Sequence, residues 1–206
     1  MMRDVAAFRE VLEFPESPKV VCVDMPIGLP EHTPTGGRAC EGEARAVLGP
    51  RKSSVFSVVG RKALACSARE DAHAVSVAGG GIGVGAQTWG LVTKLIEIDK
   101  VISKDLQMKI FEVHPELCFW AMNNRQPMAF GKKKPAGQSD RRATLSRSGV
   151  PTAFLDNVDH LPSGQDDFLD ACAAAWAARR ILNGVAERFL AILQRDSRGL
   201  DMAMWF

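Results

Sequence analysis

The stretch Val20-Val21-Cys22-Val23, closed at once by Asp24-Met25-Pro26-Ile27-Gly28, most limits what this chain can fold into. Four apolar residues in a row, without alternation, mark a strand covered on both faces. Pro26, Gly28 and Pro30 then stop the strand. A strand buried on both sides needs helices to cover it, and helical periodicity surrounds this one. Residues 3–13 carry Val5, Phe8, Val11 and Leu12 on one stripe, and residues 39–48 read as a second helix. Leu91, Leu95, Ile98, Ile102 and Leu106 keep helical spacing, and further helices are expected over 138–148 and 166–182. "GPRKSSVFSVVG" reads as a basic turn leading into an extended segment, and the closing "LDMAMWF" as a C-terminal strand. Strands alternating with helices predict an α/β domain.

With 206 residues, one domain or one domain with a sizeable insertion is expected. A core of this size buries about 70% of the surface that the unfolded chain exposes. The five cysteines form no CxxC pair, so a zinc site of the usual spacing is not expected. Cys22 and Cys172 lie in apolar runs and read as buried thiols. "MMRDVAAFREVLEF" has no apolar h-region and the sequence no 18-residue apolar run, so neither a signal peptide nor a membrane span is expected. A cytoplasmic location is the default. The net charge of +2 does not by itself point to nucleic acid.

Local clustering is more informative. "DDFLDACAAAW" places Asp166, Asp167 and Asp170 in the first turns of an alanine-rich helix. Acids in a first turn cap free N–H groups and suit the helix dipole, which accounts for Asp166 and serves equally for Asp167. Asp170 lies deeper, on a stripe with Ala174, Ala177 and Ile181, where small residues let the helix approach a sheet and present the acid to a strand end. Asp24 ends its own strand, and sites in open α/β sheets gather at the carboxyl ends of strands. In "KIFEVHPELCFW" the alternation puts Ile110, Glu112, His114 and Glu116 on one strand face, with Pro115 set to cut the pairing short. That face is either a general base or metal ligand in waiting, or the solvent side of an edge strand.

From Arg125 to Arg147 seven basic residues, Lys132, Lys133, Lys134, Arg141 and Arg142 among them, face a single acid, Asp140. Such a cluster neutralises phosphates or is simply a solvated loop, and it has almost none of the aromatic interleaving that stacks single strands. Arg51 and Lys52 beside Ser53 and Ser54 make a smaller basic-hydroxyl turn. Gly81, Gly83 and Ala86 satisfy a dinucleotide-type G-x-G-x-x-A, with Asp99 further on. The preceding "DAHAVSVA" is a poor strand, so a loop is the better reading of residues 79–85.

Several stretches together resemble one family. "VDMPIGLP", "GPRKSSVF", "QTWG" with "KLIEID", "EVHPELCF", "KKK" with "AGQSDRR", and "DDFLDACAAAWAARR" recur in that order in domain-of-unknown-function family 429. Its members are described as predicted nucleases with an RNase H fold. The resemblance spans roughly residues 20–206 and implies a single α/β domain over 1–206. Its form would be an RNase H-like mixed sheet flanked by helices, with a helical and loop insertion at about 31–106. RNase H-like nucleases gather carboxylates around divalent ions, which activate water and stabilise a leaving oxygen. By resemblance, Asp24, Asp167 and Asp170 would be the ligands of magnesium or manganese, and Glu116 an auxiliary catalytic acid. Arg51, Lys132, Lys133, Arg141 and His114 would hold the substrate. Family members begin with a strand carrying a "GVDG"-like motif, whereas this sequence opens on a helix, which implies a site short of one acid and an open sheet edge. Three readings follow: a metal-dependent nuclease or phosphodiesterase; a non-catalytic module of the same fold that binds nucleic acid or a protein; and a nucleotide-binding enzyme using the glycine loop. A second copy of the chain covering the open edge would make a homodimer.

Overall fold

The apolar run does form a strand, and its setting explains why. The computed structural model of the chain describes residues 5–156, 164–189 and 193–206. The expected opening helix appears as α1 (Phe8–Leu12), anchored by Phe8; its residues 3 and 4 lie outside the described residues. β1 (Val21–Val23) follows, and then a turn over Pro26–Gly28. Gly28 adopts φ +76°, and a Cβ there would meet the Met202 side chain at 2.7 Å, so only glycine lets this turn press against the C-terminal segment.

α2 (Ala39–Leu48) keeps its expected bounds and runs into a 3-10 turn, Gly49–Ser54. Four short helices fill the next region: α3 (Arg61–Leu64), α4 (Arg69–Ala78), α5 (Ala86–Gly90) and α6 (Val92–Val101). α7 (Lys104–Gln107) leads to β2 (Ile110–Glu112), which pairs in parallel with β1 so that Val21 faces Ile110 and Val23 faces Glu112. α8 (Pro115–Met122), α9 (Pro135–Arg147), α10 (Thr152–Asp156) and the long α11 (Gln165–Leu182) complete the helical layer. The protein is mixed α/β, about half helical, with a small parallel sheet. The C-terminal segment extends that layer through single bridges, Val113 to Trp205 and Trp205 to Arg188. It is therefore not the continuous strand that "LDMAMWF" predicts.

The largest apolar cluster joins α2, α8, α9, α11 and the C-terminus through Leu48, Leu117, Phe119, Leu145, Phe168 and Phe206. Because Cys40, Ala44 and Leu48 sit in it, α2 packs with the main body although it lies inside the predicted insertion. Residues 58–95 have their own cluster around Val58, Ala72 and Leu95. A third joins α1 to the sheet and α6 through Phe8, Val21, Ile98 and Ile110.

One ion cluster holds these parts in register. Arg38 is only 2% exposed, and Glu112 and Glu41 are buried with it. Arg38 donates from Nη1 and Nη2 to both oxygens of Glu112 at 2.8 and 2.5 Å, and from Nε to Glu41 at 2.7 Å. The carbonyl of Ile27 accepts from Arg38, while the backbone N–H of Ile27 donates to Glu112 at 2.7 Å. Burial opposes the charge on Arg38, but Glu112 outweighs it and keeps the guanidinium protonated. Glu112 is thus a buried counter-ion, not part of a solvent face.

Removing one partner of such a buried pair strands the other charge, at a cost of about 3–5 kcal/mol. Urea unfolding of Glu112→Ala should show a loss of that size. A loss below about 1 kcal/mol, the value of an exposed pair, would show that this cluster does not hold the fold.

Candidate active site

Asp24 is the first residue beyond β1, at the carboxyl end of the strand. α11 packs against β1, α8 and α9, which brings Asp170 toward that end. β2 stops at Glu112, and Pro115 opens α8 because its fixed φ and missing N–H suit a first helical position. His114 becomes the residue before the helix, and Glu116 falls in its first turn. The strand face expected to run on to Glu116 is therefore cut at Glu112. The 3-10 turn contributes Arg51, and the connection before α9 contributes Lys132, Lys133 and Lys134. Together these residues line a cavity of about 610 Å³.

Within it Lys132 Nζ donates to Asp170 Oδ2 at 2.6 Å. Burial pushes the Asp170 carboxyl up to about 6; the Lys132 bond works against this, and the charges of Asp24 and Glu116 add to it. Asp24 is raised as well, first by burial and then by Asp167, with His114 and Lys132 opposing. Its surface is open to the cavity, yet protein crowds it on all sides, so exposure and desolvation coexist. For Lys132 burial disfavours the charge, but Asp170, Asp166 and Asp167 outweigh it and raise the ammonium above its ordinary value. The pair is lopsided: the lysine's charge is favoured on balance, whereas burial, with the repulsion of Asp24 and Glu116 added, outweighs Lys132 at Asp170.

Glu116 is held rather than free. Arg141, completely buried, donates to Glu116 Oε1, to the carbonyl of Phe130 at 3.0 Å and to that of Gly137 at 3.1 Å. Arg141 therefore does not line the cavity, and its place is behind Glu116, not on a substrate. Arg51 approaches Glu116 at 3.9 Å from the cavity side. His114 Nε2 lies 3.2 Å from the Ser54 carbonyl, which can only accept, so this nitrogen carries the proton. The buried Nδ1 of His114, Oε2 of Glu116 and Nε of Arg51 have no hydrogen-bond partner.

The basic segment is divided. Lys132, Lys133 and Lys134 line the cavity, whereas Arg125 pairs with Glu187 at 2.8 Å and Arg142 with Asp156 at 3.6 Å. The glycine loop is also explained without a ligand. It follows helix α4 where a dinucleotide site needs a strand, and Asp99 pairs with Arg61 at 2.6 Å and Arg198 at 3.2 Å. A Cβ at Gly81 would meet the Thr33 carbonyl at 2.5 Å, so the glycine permits close backbone packing.

Asp167 is exposed and lines a second groove of about 600 Å³ with Ala171, Ala174 and Ala178, which Asp24, Lys132 and Asp170 also border. Asp24 and Asp170 thus stand where the two hollows meet. Of the stripe expected beside Asp170, Ala174 lines this groove, whereas Ala177 is buried in the core. Sequence reasoning passed over Phe56 and Leu91, which line the first cavity with exposures of 41% and 43%. In "VFSVV" an apolar Phe reads as core, and nothing local reveals its exposure. The sequence model of a family of proteins of unknown function, DUF429, matches residues 3–194.

The chain belongs to that family. No curated protein and no solved structure matches it. Among the described residues of this DUF429 protein, no three His, Cys, Asp or Glu side chains are gathered closely enough to hold a metal ion. The donor chemistry nevertheless fits a hard divalent ion: Asp24, Asp167 and Asp170 offer carboxylate oxygens, and their mutual repulsion lacks a full counter-charge. In the structure the ammonium of Lys132 supplies that charge to Asp170.

A raised carboxyl favours the protonated folded state. Asp170 is therefore least costly below the ordinary aspartate value of about 3.9, and stability is lost as pH rises toward about 6. The shift corresponds to about 3 kcal/mol at full effect. Urea unfolding across pH 4.5–7.5 should show Asp170→Asn gaining on the wild type as pH rises, by up to that amount. A difference that stays constant over this range would make Asp170 an ordinary carboxylate.

Proposed function

We propose that this protein is a metal-dependent phosphodiester hydrolase, a nuclease of RNase H-like fold. One observation carries the reading. Asp24 at the end of a parallel strand and Asp170 on the packed helix border the same cavity, both held above the ordinary carboxylate range, and Arg51, Lys132, Lys133 and Lys134 line it with them. The parallel β1–β2 pair, with α11 laid on β1 and carrying the D-x-x-D-A pattern, agrees with the RNase H-like arrangement.

Asp24, Asp170 and Asp167 are the residues that would hold magnesium or manganese. Such an ion, when bound, polarises a phosphoryl oxygen and lowers the pKa of water. The chain's own groups do the rest. Arg51, Lys133 and Lys134 attract and orient the phosphate. Lys132 neutralises Asp170 until a stronger cation competes for it. Arg141 fixes Glu116, so that its charge stays beside Asp170. A second reading is a non-catalytic nucleic-acid-binding module. The Lys132–Asp170 pair favours it, since that contact already satisfies one of the three acids.

Calorimetric titration with magnesium and manganese, joined to cleavage of single-stranded, duplex and branched DNA and of RNA, separates the two. The wild type should bind metal and cleave. Asp24→Asn and Asp170→Asn should each lose activity at least roughly 100-fold, the upper end of what loss of a supporting metal-site residue costs. Equal metal binding by wild type and Asp170→Asn, or none by either, overturns the metal site. Salt-sensitive binding without cleavage selects the module.

A further inference from the structure

The cavity lining mixes charged and apolar side chains, and that mixture points to the size and kind of ligand. Arg51, Lys133 and Lys134 bring positive charge to it. The same lining includes Phe56 and Leu91, 41% and 43% exposed. Exposed aromatic and aliphatic side chains are costly to leave in water, and two lining one cleft mark a binding surface. A volume of about 610 Å³ lies within the range of clefts that enclose a small molecule. It takes one nucleotide but cannot admit a duplex, whose bases are stacked inside. Enzymes that reach atoms of a nucleic acid through such a pocket act on a single strand or on a nucleotide turned out of the stack.

We infer that the cavity binds a single nucleotide unit, its phosphate on Arg51 and the lysines and its base on Phe56. The inference rests on the reading of a phosphoester site given above and adds the unit recognised. Phe56 supplies an aromatic surface inside the cavity: base-to-aromatic stacking is sequence-tolerant, because every base has a π-face. Among the described residues, Nε of Arg51 and Oε2 of Glu116, both from residues lining this cavity, are buried without a hydrogen-bond partner. The shared chemistry is a nucleoside monophosphate, either free or as part of a single-stranded chain.

Calorimetry in EDTA with a 5′-nucleoside monophosphate, inorganic phosphate, a single-stranded oligonucleotide and a blunt duplex provides the test. The nucleotide should bind at least tenfold more tightly than inorganic phosphate. Phe56→Ala should abolish that advantage while leaving phosphate binding unchanged; Phe56 is exposed, so folding should survive, and Leu91→Ala gives an independent check on the same lining. Preference for the oligonucleotide over the free nucleotide identifies a polymer substrate, and the reverse order a free nucleotide. Nucleotide binding no tighter than phosphate, or a duplex bound as well as the single strand, overturns the inference. The proposed hydrolase activity is judged separately: cleavage of a simple aryl phosphodiester with a duplex-indifferent, base-indifferent site would keep the hydrolase and discard the nucleotide pocket. Tight nucleotide binding without any cleavage does the opposite.

Discussion

The buried guanidinium of Arg38 is the constraint on which the rest depends. A charge of that kind is tolerated inside a protein only when paired and hydrogen-bonded, and here its partners come from separate parts of the chain. Glu112 closes β2, Glu41 lies on α2, and Ile27 and Gly28 form the turn after β1. The N–H of Val58 also donates to Glu41, at 3.2 Å. One side chain thereby ties the sheet ends to the first covering helix. Displacing any of them would leave a buried polar group without a partner. A second link does the same for the outer helices, with Arg61 joining Asp99 and Asp196 at 2.6 Å each.

The candidate site stands immediately beside this frame. Arg38 and Glu112 border the same cavity as Asp24, so the rigid cluster fixes the turn that aims Asp24. The acids themselves are the opposite case: crowded, mutually repelling and only partly neutralised by Lys132. Both clusters set carboxylates around a cation. In one, Glu41 and Glu112 both accept hydrogen bonds from Arg38; in the other, Lys132 donates to Asp170 while Asp24 and Glu116 still repel it. Carboxyls perturbed by burial and by neighbouring charges in a cleft are what mark this place as the candidate site.

Local pattern was legible where it depended on near neighbours. The apolar run over Val20–Val23, the helix at 39–48 and the alanine-rich helix all lie where periodicity puts them. The strand expected through His114 and Glu116 failed because alternation is a weak signal over a few residues, and Pro115 starts a helix as readily as it ends a strand. Asp24, Asp170 and Lys132 could be named as candidates from residue type, but Arg141 could not be told from its neighbours. It becomes a buried support for Glu116 only because α9 turns that face inward.

By itself the sequence determined the class of elements, the strand end that bears Asp24 and the helix face that bears Asp170, because these follow from spacing along the backbone. Tertiary structure decided which charges meet. Arg38 and Glu112 are 74 residues apart, and Lys132 and Asp170 are 38 apart, yet each pair lies within 2.8 Å. It also decided that Phe56 faces the cavity, not the core. Electrostatic pairing acts through space, so no local pattern encodes it; only packing brings the partners together.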